Sequence, residues 1–215
     1  MREAVTRVSG IAAPMRWADV NTDDIFPGPM ASPVARLRGG GVLGDRTRMG
    51  ENAFAALRWT DTGKARPEFV LNRVPYDRAV ILVAGANFGC GSSRESAVWS
   101  LAAIGIRSIV APSFGDIFYG NCIQNGVLAV RLSPAEVETL MGDVESAADP
   151  IVVVDLEART VTSPAGTTFG FTISDYHRDA LLEGLEEIDA TLARLPAIER
   201  FEAGYFEARP WLAPT

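Results

Sequence analysis

Residues 79–95 read AVILVAGANFGCGSSRE, an apolar run that gives way to a glycine-rich turn. Ala79 to Val83 is short, continuous and apolar, the pattern of a strand covered on both faces. Beyond the turn, Val98, Leu101, Ala102 and Gly105 fall at i, i+3, i+4 and i+7, which predicts a helix buried on one side. A strand that feeds a helix through such a turn gathers unpaired amide groups and the positive end of the helix dipole at one place. A carboxylate or phosphate can be held there by backbone alone.

The turn does not match the named nucleotide loops. Gly89-x-Gly91-x-x-Arg94 lacks the third glycine of the dinucleotide fingerprint, and no Gly-Lys-Ser/Thr is present for a Walker loop. One reading is a nest for a small anion with Ser92, Ser93 and Arg94 at its mouth, where the Arg94 fork grips a carboxylate. The other is purely structural: Ser92-x-x-Glu95 is a capping-box sequence, with Ser92 on the Glu95 amide and Arg94 an ordinary first-turn residue. From the residues alone both stand.

Downstream, Ser108–Ala111 reads as a strand, Phe114–Gln124 as a helix and Val127–Val130 as a strand, completing the alternation that builds a parallel sheet with crossovers. Ser133-Pro134-Ala135-Glu136 is a second capping box, with proline at the first helical position. Residues 151–156, 159–163 and 168–173 read as a strand meander. Ser174 caps a long helix in which Leu181, Leu185, Ile188 and Leu192 repeat, and a terminal helix covers about 197–206. The expectation is one α/β domain over residues 1–215, with a parallel-sheet core and a C-terminal helical segment at about 174–208.

The first third reads as irregular. Pro14, Pro27, Pro29, Pro33 and the run Gly39-Gly40-Gly41 mark turns, and residues 28–50 read as a long loop. It carries Arg36, Arg38, Arg46 and Arg48 against one acid, Asp45. Loops of this length are functional or mobile. A mobile clamp for a small anion and a merely solvated loop both fit.

Composition removes several classes of function. At 215 residues, 47% hydrophobic and 22% charged, the chain has the make-up of a globular protein. Its longest apolar stretch, Ala79 to Cys90, is well short of the roughly 20 residues of a membrane span. Residues 1–15 contain no uninterrupted apolar core of a secretion signal, so a cytoplasmic location is expected. A net charge of −7 argues against nucleic acid as a partner. Cys90, Cys122 and the single His177 are too few for a full set of soft metal ligands, and they read as packing residues.

At this point the chain resembles a known family. The 85–95 motif, Ala-Pro-Ser-Phe-Gly-Asp-Ile-Phe-Tyr-Gly-Asn-Cys at 111–122 and Gln-Asn-Gly at 124–126 closely resemble the small subunits of bacterial 3-isopropylmalate dehydratases. Asp-Val-Asn-Thr-Asp-Asp-Ile at 19–25 is similar to the family's Asn-x-Asp-Thr-Asp-x-Ile with Asn and the first Asp exchanged. Pro67 to Asn72 and Leu181 to Leu185 extend the match, which spans roughly residues 10–195.

The resemblance implies a swivelling β/β/α domain of the aconitase superfamily that docks on a large subunit carrying a [4Fe-4S] cluster. No cofactor is then expected in this chain itself. By the same resemblance Ser92 is the catalytic base, Ser93 and Arg94 bind a substrate carboxylate, and Asp23 lies near the substrate and an arginine. The family's other arginine corresponds to Arg36 or Arg38. The substrate implied is a small dicarboxylate, 2- or 3-isopropylmalate, in leucine biosynthesis. Two departures leave room for a related dehydratase of dimethylmalate, methylmalate or citraconate, or for a non-catalytic anion-binding domain: Ser96 stands where the family usually has histidine, and the 28–50 loop is atypical.

Overall fold

At the centre of the sheet lies Arg7–Met15 (β1), whose Gly10, Ala12, Ala13 and Pro14 carry little strand propensity. The computed structural model describes residues 3–28, 46–185 and 187–212. After β1 come Thr22–Ile25 (α1), Arg46–Glu51 (α2), Ala55–Arg58 (α3), Ile81–Ala84 (β2), Glu95–Ala103 (α4), Ser108–Ala111 (β3), Asp116–Gln124 (α5) and Leu128–Arg131 (β4). The chain continues through Pro134–Ser146 (α6), Ile151–Asp155 (β5), Thr160–Thr162 (β6), Thr168–Gly170 (β7), Asp175–Leu182 (α7), Glu187–Leu192 (α8) and Leu195–Ala208 (α9).

Among the described residues seven strands form one sheet, in the order β4-β3-β2-β1-β5-β6-β7. β1 joins two halves: Ala12 to Met15 pair in parallel with β2, while Arg7 to Ile11 pair antiparallel with β5. The parallel core therefore has four strands, one more than the three expected, and the expected meander extends it on the other side. β1 departs from the irregular N-terminus expected because its small residues suit a centre pressed from both faces. Ala12 and Ala13 are completely buried and point into opposite cores.

Alternation along β2 shows the layering. Leu82 and Ala84 face a cluster with α1, α4 and α5, including Ile25, Val98, Leu101 and Phe118. Ile81 and Val83 face the other side, where Val137, Leu140, Met141 and Val144 of α6 pack. Burial of each large side chain contributes about 1.5–3 kcal/mol. Among the described residues no helix is long and apolar enough to cross a membrane.

Two further expectations are corrected. Most of the 28–50 loop, including Arg36 and Arg38, lies outside the described residues, but its last five residues begin α2. Met49 is buried there, and a Cβ added to Gly50 would meet that of Ala103 at 3.1 Å, so close packing on the end of α4 overrides the local glycine and proline signal. The long helix after Ser174 is also broken. Gly184 adopts the left-handed conformation (φ 63°), and the Leu185 and Gly184 amides donate back to the Ala180 and Leu181 carbonyls, a Schellman stop. Leu181 stays fully buried, whereas Ile188 and Leu192 face solvent, and α9 buries none of its residues.

Candidate active site

The turn at 85–95 emerges from the carboxyl end of β2, beside the segment that leaves β1, which is the usual crevice for ligands in parallel sheets. It is anchored at Phe88, which is fully buried and meets Phe118 edge-on with ring centroids 5.6 Å apart. On either side the backbone is left-handed, at Asn87 (φ 59°) and Gly89 (φ 73°). Burying Phe88 contributes about 1.5–3 kcal/mol, and asparagine is among the few side-chain-bearing residues that enter the left-handed region readily. At Gly89 nothing larger than hydrogen fits, since a Cβ would lie 2.2 Å from the Phe118 ring. The Asn87 amide donates to Ser113 Oγ (2.8 Å) after β3, and its side chain donates to Asp19 Oδ1 (2.7 Å) after β1.

The second wall of the site is α1. Asn21 caps this helix, accepting from the Asp23 and Asp24 amides at 2.7 and 2.9 Å, while Asp24 Oδ2 accepts from the Asn21 amide at 3.0 Å. That capping box makes Asn21 a structural residue of the site which the sequence reading did not assign. Its signal was legible as Asn-x-x-Asp. The cap turns Asp23 outward to meet Arg94 at 2.5 Å. Thr22, by contrast, points inward and is 1% exposed.

Ser92, Ser93, Arg94 and Asp23 are therefore brought together at one mouth, with Ser92 and Ser93 exposed and Arg94 partly so. Arg36 and Arg38 lie outside the described residues. The capping reading of Ser92 is overturned. The chain is extended at Arg94 (φ −127°, ψ 103°), and α4 starts only at Glu95 with no side-chain cap. Ser92 Oγ lies 3.3 Å from Thr22 Oγ1, and Glu95 accepts from Asn125 Nδ2 at 2.8 Å instead of reaching back to Ser92. The amides of Gly91 to Ser96 donate to no backbone carbonyl among the described residues, so the mouth is lined by unengaged donors at a helix N-terminus.

Among the described residues no three His, Cys, Asp or Glu side chains are grouped to hold a metal ion. Cys122 is fully buried on α5, and burial pushes its thiol far up. Cys90 is half-buried on the turn, its Sγ donating to the Asp19 carbonyl at 3.4 Å, and burial beside Asp19 raises its pKa too. His177 packs against Tyr119 and Tyr176, with ring centroids 6.0 and 5.6 Å away, as expected of a structural residue.

The chain is similar to known proteins over nearly its whole length. Residues 2–135 match the model of the aconitase C-terminal domain and residues 138–175 match the LeuD_N model. The 3-isopropylmalate dehydratase small subunit of Jannaschia is 44% identical over 207 residues, covering 96% of this chain and 98% of the relative. The protein of the same name from Dinoroseobacter shibae is 42% identical over 210 residues, covering 98% and 100%. A crystal structure of 3-isopropylmalate dehydratase from Methanocaldococcus jannaschii superposes with a TM-score of 0.60 at 24% identity, covering 90% of this chain and 98% of that one, and supports the fold.

Proposed function

The chain belongs to the family of 3-isopropylmalate dehydratase small subunits, and from that membership we propose how it divides the chemistry with a large subunit. It is a subunit of a hydro-lyase that interconverts 2- and 3-isopropylmalate by dehydration and rehydration, in leucine biosynthesis. In this reading residues 1–215 form a single swivelling domain that works in the cytoplasm. Its site supplies the proton-abstracting group and the grip on a substrate carboxylate.

Dehydration requires that a proton leave the carbon next to a carboxylate while hydroxide leaves the neighbouring carbon. In this reading Ser92 Oγ takes the proton. A serine hydroxyl is a weak base at neutral pH and must be activated by fixed positive potential. The Arg94 guanidinium and the unengaged amides at the start of α4 are the sources at hand. Arg94 engages Asp23 through Nη1, which leaves the other N–H groups of its fork for a substrate carboxylate. Ser93 supplies a further hydroxyl beside it. Arg36 or Arg38 completes the grip on the second carboxylate.

The cluster in this account belongs to the large subunit, because the two cysteines of this chain are too few to hold it. When bound there, it supplies Lewis-acid help to the departing hydroxyl. The observation that carries the reading is the Asp23–Arg94 pair beside an exposed Ser92 that caps nothing. The test is anaerobic assembly with a cluster-bearing large subunit, followed by dehydration assays on a panel of substituted malates. The assembled pair turns over 2-isopropylmalate best, and this chain alone turns over none. A preference for dimethylmalate, methylmalate or citraconate, or no lyase activity in a stable assembly, would contradict it.

A further inference from the structure

Thr22 is almost completely buried, yet its hydroxyl is spent on the turn opposite rather than on its own helix. Its amide donates to the Cys90 carbonyl at 2.9 Å, and its Oγ1 donates to the Ser92 carbonyl at 2.9 Å. The same Oγ1 lies 3.3 Å from Ser92 Oγ. A threonine hydroxyl has one proton and two lone pairs. With the proton on the Ser92 carbonyl, the oxygen can accept from Ser92 Oγ. If Ser92 Oγ gives up its proton, the Thr22 proton can turn toward that oxygen with little movement. The next residue, Asp23, holds Arg94, so α1 fixes the turn at 90, 92 and 94 together.

We propose that Thr22 is a positioning residue for the reaction, its buried hydroxyl setting the orientation of Ser92 and stabilising Ser92 Oγ when that oxygen is deprotonated. The proposal rests on the reading of Ser92 as the proton-abstracting group. A hydrogen bond to the deprotonated form favours that form, so the hydroxyl extends the pH range over which Ser92 acts as a base.

Thr22→Val keeps shape and removes the hydroxyl, while Thr22→Ser keeps the hydroxyl. Each is assembled with the large subunit, and kcat, KM and the pH profile of kcat/KM are measured. Thr22→Val should lower kcat about tenfold or more with KM little changed, and should move the acidic limb of the profile to higher pH. Thr22→Ser should restore both. On a Ser92→Ala background, Thr22→Val should add nothing further. Near-normal kcat in Thr22→Val, an unmoved limb, or a Thr22→Ser enzyme as poor as the valine variant would overturn the proposal. If Thr22→Val does not assemble, Thr22→Ala is read the same way. Failure of both to assemble assigns the hydroxyl to the fold and overturns the proposal equally. Ser92→Ala with near-normal turnover would instead defeat the reading beneath it, whereas inactive Ser92→Ala beside active Thr22→Val defeats only the role of Thr22.

Discussion

The sequence Ser-x-x-Glu occurs before two helices of this protein, and it does two different things. At Ser133 it is a working cap: Ser133 Oγ accepts from the Glu136 amide at 3.3 Å, and Glu136 Oε2 accepts from the Ser133 amide at 2.8 Å. At Ser92 the same letters make no cap. The hydroxyl lies against Thr22, 70 residues away in sequence, and the carboxylate accepts from Asn125, 30 residues away. Pro134 enforces a helical start directly after Ser133, whereas Gly91 (φ 92°) and the extended Arg94 delay the start of α4 to Glu95. The difference teaches that a local capping pattern prevails only where tertiary partners do not compete for its two side chains. Where they do, the hydroxyl and the helix amides are left for other work.

The largest effect that can break this contrast is on turnover. Ser92→Ala in the assembled enzyme should lower kcat by roughly 10² or more, while Ser133→Ala should leave it unchanged, as steady-state assays will show. Next comes Arg94→Lys, which keeps the charge but loses the planar fork. It should raise KM for the dicarboxylate by about tenfold, and an unchanged KM would return Arg94 to the status of a surface residue. The smallest effect is the pH response of the true cap. Hydrogen bonds from the Ser133 hydroxyl and amide hold the Glu136 carboxyl below the usual carboxylate range. A carboxyl lowered in the folded state stabilises it above the unfolded pKa and loses that contribution as pH falls through the folded one. Thermal unfolding of Glu136→Gln against the parent should therefore differ at neutral pH and converge in acid.

Legibility in the sequence followed the range of the interactions. The parallel alternation, the Ser133 and Ser174 caps and the meander all rest on neighbours in sequence, and they stand in the structure. β1 was hidden because Gly10, Ala12 and Ala13 are chosen for close packing at the sheet centre and not for strand propensity. The break at Gly184 was hidden because Leu185, Ile188 and Leu192 continue a helical period that the chain itself abandons. At the site, the gathering of Ser92, Ser93 and Arg94 on one turn was legible. The Asn21 cap, local as Asn-x-x-Asp, was there to be read, whereas the inward Thr22 was not, because its role depends on α1 and the 85–95 turn meeting in space.

The most direct measurement is the unfolding free energy of the full chain for two single variants, Ser92→Ala and Ser133→Ala, by denaturant titration. Ser133→Ala should lose about 0.5–2 kcal/mol, the usual range for a lost N-cap, while Ser92→Ala should stay within about 0.5 kcal/mol of the parent. Equal losses at both positions, or a larger loss at Ser92, would show that Ser92 is a cap after all and would contradict the account.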